Sequence, residues 1–439
     1  MKQENPRSEK IRQWASALWG TVRGRIYKDV EAATEPIDFS APSIPYYTGL
    51  ANRFSLARTI LYVVLVLFLV ITIAFNTELI TYQNLYYLVK DIDAAALAST
   101  EMSDYIGYPV SSNEPDFALY RGGLVVAGSE EVTVLNAAGK QTLSDNVSYA
   151  EPCVRAADSY VITFGRGERT FHVYNAFLRL FSDDTAYPIY DACITDGGTF
   201  AVVSRSREYK SEVIVYNRDF ERQAGYKTNR YVTSAALSTD GNRLAMVSVT
   251  TENGIPYSRL QIVRTGRDKM DAEVSLDGTM LYQCAFVSSG RVLVIGDNGA
   301  WIYATNGKLV QKLDLSDGAP TLYAASSATG RTAFLLQSRQ NFSENSLKIF
   351  DRNGKVVHTI PVTLNTVALD LTWGGEDTVY IRTSDSIVKV SLSRASVARL
   401  PVQSTSYAIE VTKDGDLLIC TPSHAYRPED KDWVEDLYQ

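Results

Sequence analysis

Four cysteines, Cys153, Cys193, Cys284 and Cys420, and three histidines, His172, His358 and His424, are the residues of this chain with the widest choice of chemistry. Their spacing removes most of it. No CxxC pair occurs, so the cysteines lack the close ligand spacing of a structural zinc site. Neither HExxH nor GxSxG is present, and these are the arrangements that zinc proteases and α/β-hydrolases use to activate water or serine. What remains is carboxylate chemistry. Asp191, Asp196, Asp370 and Glu410 each lie close to a short run that reads as the first strand of a repeat, from which side chains far apart in sequence could project toward one opening. Carboxylates at turns and edges are plentiful in any β-rich chain, so no catalytic, cofactor-binding or metal-binding residue is assigned and no cofactor is expected. The cysteines are expected to be buried free thiols, with a disulfide as the alternative that a position outside the cytoplasm would permit.

The elements that must position such residues show up as an internal repeat. Seven hairpins begin at Val132, Phe171, Val213, Leu260, Trp301, Leu347 and Ile387, separated by 39 to 47 residues. That is the period of a four-stranded propeller blade. Ahead of each lies a second hairpin with a very apolar second strand, as in ACITDGGTFAVVS from Ala192, AALSTDGNRLAMVS from Ala235 and DLTWGGEDTVYIR from Asp370, with looser copies from Phe117 and Val154. Gly, Asp and Asn at these turns tolerate positive φ, and the apolar strand suits burial between neighbouring blades. A last copy, AIEVTKDGDLLIC from Ala408, has no second hairpin. It predicts ring closure with a strand near the start of the domain, within Asp104 to Ser112. The expected fold is all-β, an eight-bladed β-propeller with seven blades as the alternative, over residues 104–426. The stretch 427–439 reads as an acidic, solvated tail that Trp433 could dock against the rim.

Ahead of the repeats, Thr59 to Phe75 carries no charged residue. Extended to Thr77, it approaches the roughly 20 residues needed to cross a bilayer core. It predicts one transmembrane helix, an uncleaved signal anchor over 59–77, with a stalk over 78–103. Arg53 and Arg58 before it predict a cytoplasmic N-terminus and an extracytoplasmic propeller. In the segment 1–58, Ile11, Trp14, Leu18, Val22 and Ile26 recur at helical steps among Arg12, Arg23, Arg25 and Lys28. This is an amphipathic helix suited either to an anionic lipid surface or to a partner protein. Pro36, Pro42 and Pro45 mark a linker after it. The lipid bilayer, through residues 59–77 and the 11–26 helix, is thus one expected partner.

Charge narrows the partners further. Residues 1–58 carry a net +3 within an overall −7, so the remainder carries −10. An acidic domain with no basic stripe excludes nucleic acid as a partner. Hydrophobic residues make up 45% and charged residues 21%, ample for a core and contrary to general disorder.

The unit LSTDGNRLAMVS resembles the Asp-Gly hairpin of WD40-type and TolB-type propellers, while YATNGKLVQKL and FDRNGKVVHTI resemble the Asn-Gly-Lys hairpins of quinoprotein-like propellers. The whole layout is similar to an uncharacterised family of membrane-anchored propellers of Gram-positive bacteria. Quinone-binding propellers repeat a tryptophan motif from blade to blade; here only Trp301 and Trp373 lie within the repeats, so the resemblance implies no quinone. It specifies fold far better than activity. The leading expectation is a non-enzymatic, membrane-tethered scaffold that binds an envelope protein, peptide or wall polymer. The alternatives are a transmembrane sensor working through the N-terminal helix, and an envelope glycan lyase or hydrolase with its site at the channel mouth.

Overall fold

A computed structural model of the chain describes residues 44–75, 103–267, 270–325, 329–402, 407–412 and 415–435. Residues 1–88 and 89–439 form two separate units. Among the described residues of the first, one helix runs from Ile44 to Phe75. Its start takes in Pro45, one of the three prolines read as marking a linker. Pro45 is tolerated there because first-turn N–H groups have no intrahelical partner to lose. From Ile60 to Phe68 every large apolar side chain is exposed.

Among the described residues no helix is long and apolar enough to cross a membrane. Arg53 and Arg58 bound the apolar run on one side, and side chains are described only as far as Phe68. The stretch from Thr59 to Phe68 would rise about 15 Å at 1.5 Å per residue, half of a bilayer core. The transmembrane expectation for 59–77 therefore still rests on the sequence. The amphipathic 11–26 helix and the 78–103 stalk lie outside the described residues, apart from Ser103 at the stalk's end.

The second unit is a β-propeller of eight antiparallel sheets. Blades 1 to 7 span 116–146, 152–184, 189–228, 231–277, 281–312, 319–363 and 368–401, each with its four strands in sequence order. The innermost strands of successive blades touch one another around the ring, and blade 8 returns to blade 1. Between blades 5 and 6 that contact is weaker, and a cavity of about 240 Å³ opens there.

The apolar second strands are the reason the ring holds. Gly123–Ala127, Val161–Gly165 and Leu417–Cys420 are buried along their whole length, and Phe200–Arg205 in all but the last residue. Side chains from both faces pack against the adjoining blades. Phe200 and Tyr216 of blade 3 stack at 4.7 Å and meet Phe171 of blade 2 edge-on at 5.8 and 5.6 Å. The Asn-Gly-Lys turns work as their composition predicts. Gly307 and Gly354 both have φ of 83°, a conformation that a side chain strains.

Blade 8 is shared between the two ends of the domain. Ala408–Val411, Leu417–Cys420 and His424–Tyr426 come from the C-terminal part, while the outermost strand is Tyr105–Gly107. The register pairs Tyr105 with Tyr426, Ile106 with Ala425 and Gly107 with His424. The Tyr108 hydroxyl adds a 2.6 Å hydrogen bond to the Thr421 carbonyl. The closure lies within the predicted Asp104 to Ser112 window. His424 is a strand residue of this blade.

Nor is the segment after it a free extension. Val434 and Glu435 pair with Arg399 and Ala398, adding a fifth strand to blade 7. Trp433 lies 6.0 Å from the Tyr380 ring, with the Lys389 ammonium 5.5 Å over its own ring. An indole with two such neighbours outweighs the solvation of the acidic residues around it.

Candidate functional site

The innermost strands line the central channel, and side chains from five consecutive blades converge there. Asp116 begins the innermost strand of blade 1 (Asp116–Tyr120). Its Oδ1 accepts the Phe117 N–H at 3.1 Å, and its Oδ2 accepts the Val154 N–H of blade 2 at 2.9 Å. Arg155 follows on Pro152–Ala156. Its Nη1 donates to the Val154 carbonyl at 2.8 Å and lies 3.5 Å from Asp116 Oδ2, while its Nη2 reaches Asp191 Oδ1 of blade 3 at 3.4 Å. One guanidinium thus spans three blades, which its planar fork allows and an ammonium would not. Burial works against its charge, but Asp191 and Asp116 outweigh that and hold its pKa above the ordinary value.

On the other side of Asp116 stand Glu410 of blade 8 and Asp370 of blade 7. Burial, and then the charges of Asp370 and Asp116, push the Glu410 carboxyl up to about 8, against a stabilising hydrogen bond from the Leu119 backbone. Burial also raises Asp370, with Arg382 and the Leu371 and Ile409 backbone opposing it. Burial raises Asp191 in the same way, with Arg155 opposing. At neutral pH Glu410 therefore holds its proton, because adjacent carboxylates in a poorly solvated channel cannot all ionise.

Burial acts on the thiols of the inner strands as well. Burial pushes the Cys284 thiol up to about 12 and raises that of Cys193 further. All four cysteines are free thiols, with Cys193 partly exposed and the others buried. Past them, the cavity between blades 5 and 6 is lined by Tyr282, Gln283, Thr321, Tyr323 and Phe334 among others. Among the described residues no group of histidine, cysteine and carboxylate side chains is placed to hold a metal ion.

Of the four carboxylates singled out by sequence, Asp191, Asp370 and Glu410 reach the channel. Asp196 does not: it follows the strand Ile189–Ile194, and its Oδ1 accepts the Asp158 N–H at 2.5 Å in an exposed turn. Asp116 and Arg155 escaped the sequence reading, although each lies within one residue of a repeat unit that it identified, those starting at Phe117 and Val154. His172 sits in the third strand of blade 2, its Nδ1 2.9 Å from the Ser182 hydroxyl, and His358 in the outermost strand of blade 6. Neither belongs to this cluster.

A family profile matches residues 100–415, nearly the whole propeller. The chain belongs to DUF5711, a family of unknown function. No curated protein matches it. Among solved structures, a eukaryotic initiation factor is similar at 13% identity and a TM-score of 0.50, covering 72% of this chain and 83% of its own. Chaetomium thermophilum Sqt1, solved bound to the N-terminus of ribosomal protein L10, aligns at 12% identity and 0.49, covering 74% and 98%. The WD40 propeller domain of Doa1 aligns at 11% and 0.43, covering 76% and 100%. At such identities the likeness speaks to the fold alone, a β-propeller of WD40 type. For this DUF5711 chain, then, the channel must be judged on its own geometry.

That geometry is testable. Replacing Arg155 with Met removes the guanidinium that joins blades 1 to 3 and leaves Asp116 and Asp191 without their shared cation. These side chains are partly open to channel water, so the full penalty of a buried pair is not expected. The variant should lose about 1–3 kcal/mol in urea unfolding, and Arg155→Lys should recover only part of it. An unchanged midpoint in R155M would show that the bridge contributes nothing.

Proposed function

We propose that this chain is a non-enzymatic propeller scaffold, tethered to the cell membrane by the 59–77 segment, that binds another protein of the cell envelope. The observation that carries this reading is the way the channel charges are used. Arg155 is committed to two carboxylates and to a backbone carbonyl, and Asp116 to two backbone N–H groups. Such mutual pairing locks blades together and yields a rigid platform, on which binding falls to the loops.

The tether is supported by the nine exposed apolar side chains from Ile60 to Phe68 and by the sequence beyond them, uncharged to Phe75. A helix apolar on all sides gains nothing from water. Arg53 and Arg58 favour a cytoplasmic N-terminus, in keeping with the resemblance to membrane-anchored propellers of Gram-positive bacteria. In intact cells, added protease should digest the propeller while leaving an epitope placed before residue 50 protected, and carbonate washing should leave the chain in the membrane fraction. Release by carbonate would remove the tether; a protected propeller would reverse the orientation.

A second reading, an envelope enzyme, is favoured by one observation. Glu410 keeps a proton near neutral pH and has other carboxyl groups beside it, and a protonated carboxyl next to a second one is the arrangement used in acid-catalysed glycan cleavage. Turnover of glycan reporter substrates by the full chain in detergent, abolished in Glu410→Gln, would establish it and displace the scaffold reading.

A further inference from the structure

At one end of blade 3, basic and aromatic side chains gather in a domain that is otherwise acidic. The ladder aligns Ile189 with Ser204, Arg205 with Ser211, and Ser211 with Thr228, so these strand ends form one row. Around that row, the Arg205 guanidinium lies 4.7 Å over Tyr190, the Lys210 ammonium 4.9 Å over Tyr231 and the Lys227 ammonium 5.4 Å over Tyr209. Tyr209 and Tyr231 are 36% and 49% exposed. Arg207 and Arg230 lie in the same two connections, with Glu208 as the one acidic residue of the first.

Elsewhere in the propeller, arginines are matched with acids: Arg166 with Glu151 and Arg259 with Glu273, each at 2.6 Å; within blade 3, Glu212, the ladder partner of Lys227, is taken by Arg222 at 2.6 Å. Among the described residues, Arg205, Arg207, Lys210, Lys227 and Arg230 form no ion pair. A ring face orients a cation without neutralising it, so this charge stays available to a partner.

Blade 4 supplies a wall beside the patch. Its second and third strands, Arg243–Glu252 and Ile255–Arg264, have ten residues each. Tyr231 pairs with Val249, so residues 250–257 continue beyond the end of the innermost strand. Arg230 Nη1 donates to the Tyr257 carbonyl at 2.9 Å, joining the base of this hairpin to the patch.

We propose that this end of blade 3, flanked by the blade 4 hairpin, binds a short acidic peptide segment of a partner protein. Arginine forks and ammonium groups match carboxylates, and the tyrosines supply a flat apolar floor for the backbone between them. The net −10 of residues 59–439 selects a short ligand. Charges are screened beyond about 8 Å at physiological salt, so a brief acidic segment senses the patch, whereas a long polyanion crosses repulsive surface. The inference rests on the protein-binding scaffold reading and names its face and its ligand.

The test uses the full chain in detergent with a fluorescent twelve-residue peptide of alternating Glu and Gly. Binding is expected, weakening with added NaCl, and Lys210→Glu with Lys227→Glu should reduce affinity about tenfold or more. Lys308→Glu with Lys355→Glu, in the outer turns of blades 5 and 6, serves as a charge-matched control and should bind as the wild type does. Equal binding by the double variant, or none by the wild type, overturns the site. Tighter binding of inorganic polyphosphate than of the peptide overturns the ligand class. Crosslinking in intact cells separates this failure from that of the scaffold reading. A partner captured equally by wild type and double variant leaves the scaffold standing and removes this face, whereas no partner with either removes the scaffold itself.

Discussion

Truncating Ile106 to Ala is expected to cost about 2–5 kcal/mol, although this residue precedes the first repeat and belongs to a three-residue strand. Ile106 is 1% exposed and packs with Leu124, Leu418, Cys420 and Ala425, so its side chain joins residues from both ends of the domain. Alanine would leave a cavity at the one seam of the ring that consists of two chain segments. Neighbours anchored from opposite ends have little freedom to collapse into it, which places the cost toward the upper part of the range. Removing residues 421–439 should go further, taking away the whole partner of Tyr105–Gly107 and the Tyr108 anchor on Thr421. Urea unfolding followed by tryptophan fluorescence and by far-ultraviolet circular dichroism checks both. If I106A unfolds at the wild-type midpoint, the closure is not a determinant of stability.

Glu410→Gln is expected to remove most of a pH dependence. The carboxyl is raised from an ordinary 4.5 to about 8, so the folded state binds this proton more tightly than the unfolded state does. Its contribution is therefore fully present below about pH 4.5 and is lost as pH rises toward 8, at up to about 1.4 kcal/mol per pH unit. Asp370 and Asp191, also raised, act in the same direction. Asp240, Asp377 and Asp385 are held low by hydrogen bonds, so they act in the opposite sense, adding stability above the ordinary carboxylate range that is lost in acid. Glutamine keeps the shape and stays neutral. The variant should match the wild type near pH 5, exceed it at pH 8 and show a flatter profile between. Parallel profiles would mean that Glu410 is ionised in the fold.

The fold was largely legible because propeller physics repeats. A buried second strand must be apolar throughout and a tight turn must admit positive φ, and both demands recur at each blade. Even the closure followed, since an unpaired half blade at Ala408 requires a partner. Docking of the tail through Trp433 was one of the readings, but its pairing as a fifth strand was not, because Val434–Glu435 is too short to show any period and depends on where the blade 7 edge lies. In the channel, the repeat alignment brought out Asp191, Asp370 and Glu410 but also Asp196, since nothing local distinguishes a residue inside a strand from one just past its end. Asp116 and Arg155 needed the ring, for their roles consist of reaching into neighbouring blades. The patch on blade 3 was missed for a related reason. Its cations are scattered over two connections and within an acidic total, and only the strand register assembles them.

The shared eighth blade also fixes an order of events in time. Tyr108 waits for Thr421, 313 positions later, before the ring can close. At a synthesis rate of 5–20 residues per second, that wait is about 15–60 s. Throughout it the outermost strand has no neighbour and the flank of blade 1 is bare, both open to wrong pairing with other chains. A newly made copy therefore has a long vulnerable childhood, in which a holding chaperone would matter more than it does for the finished molecule.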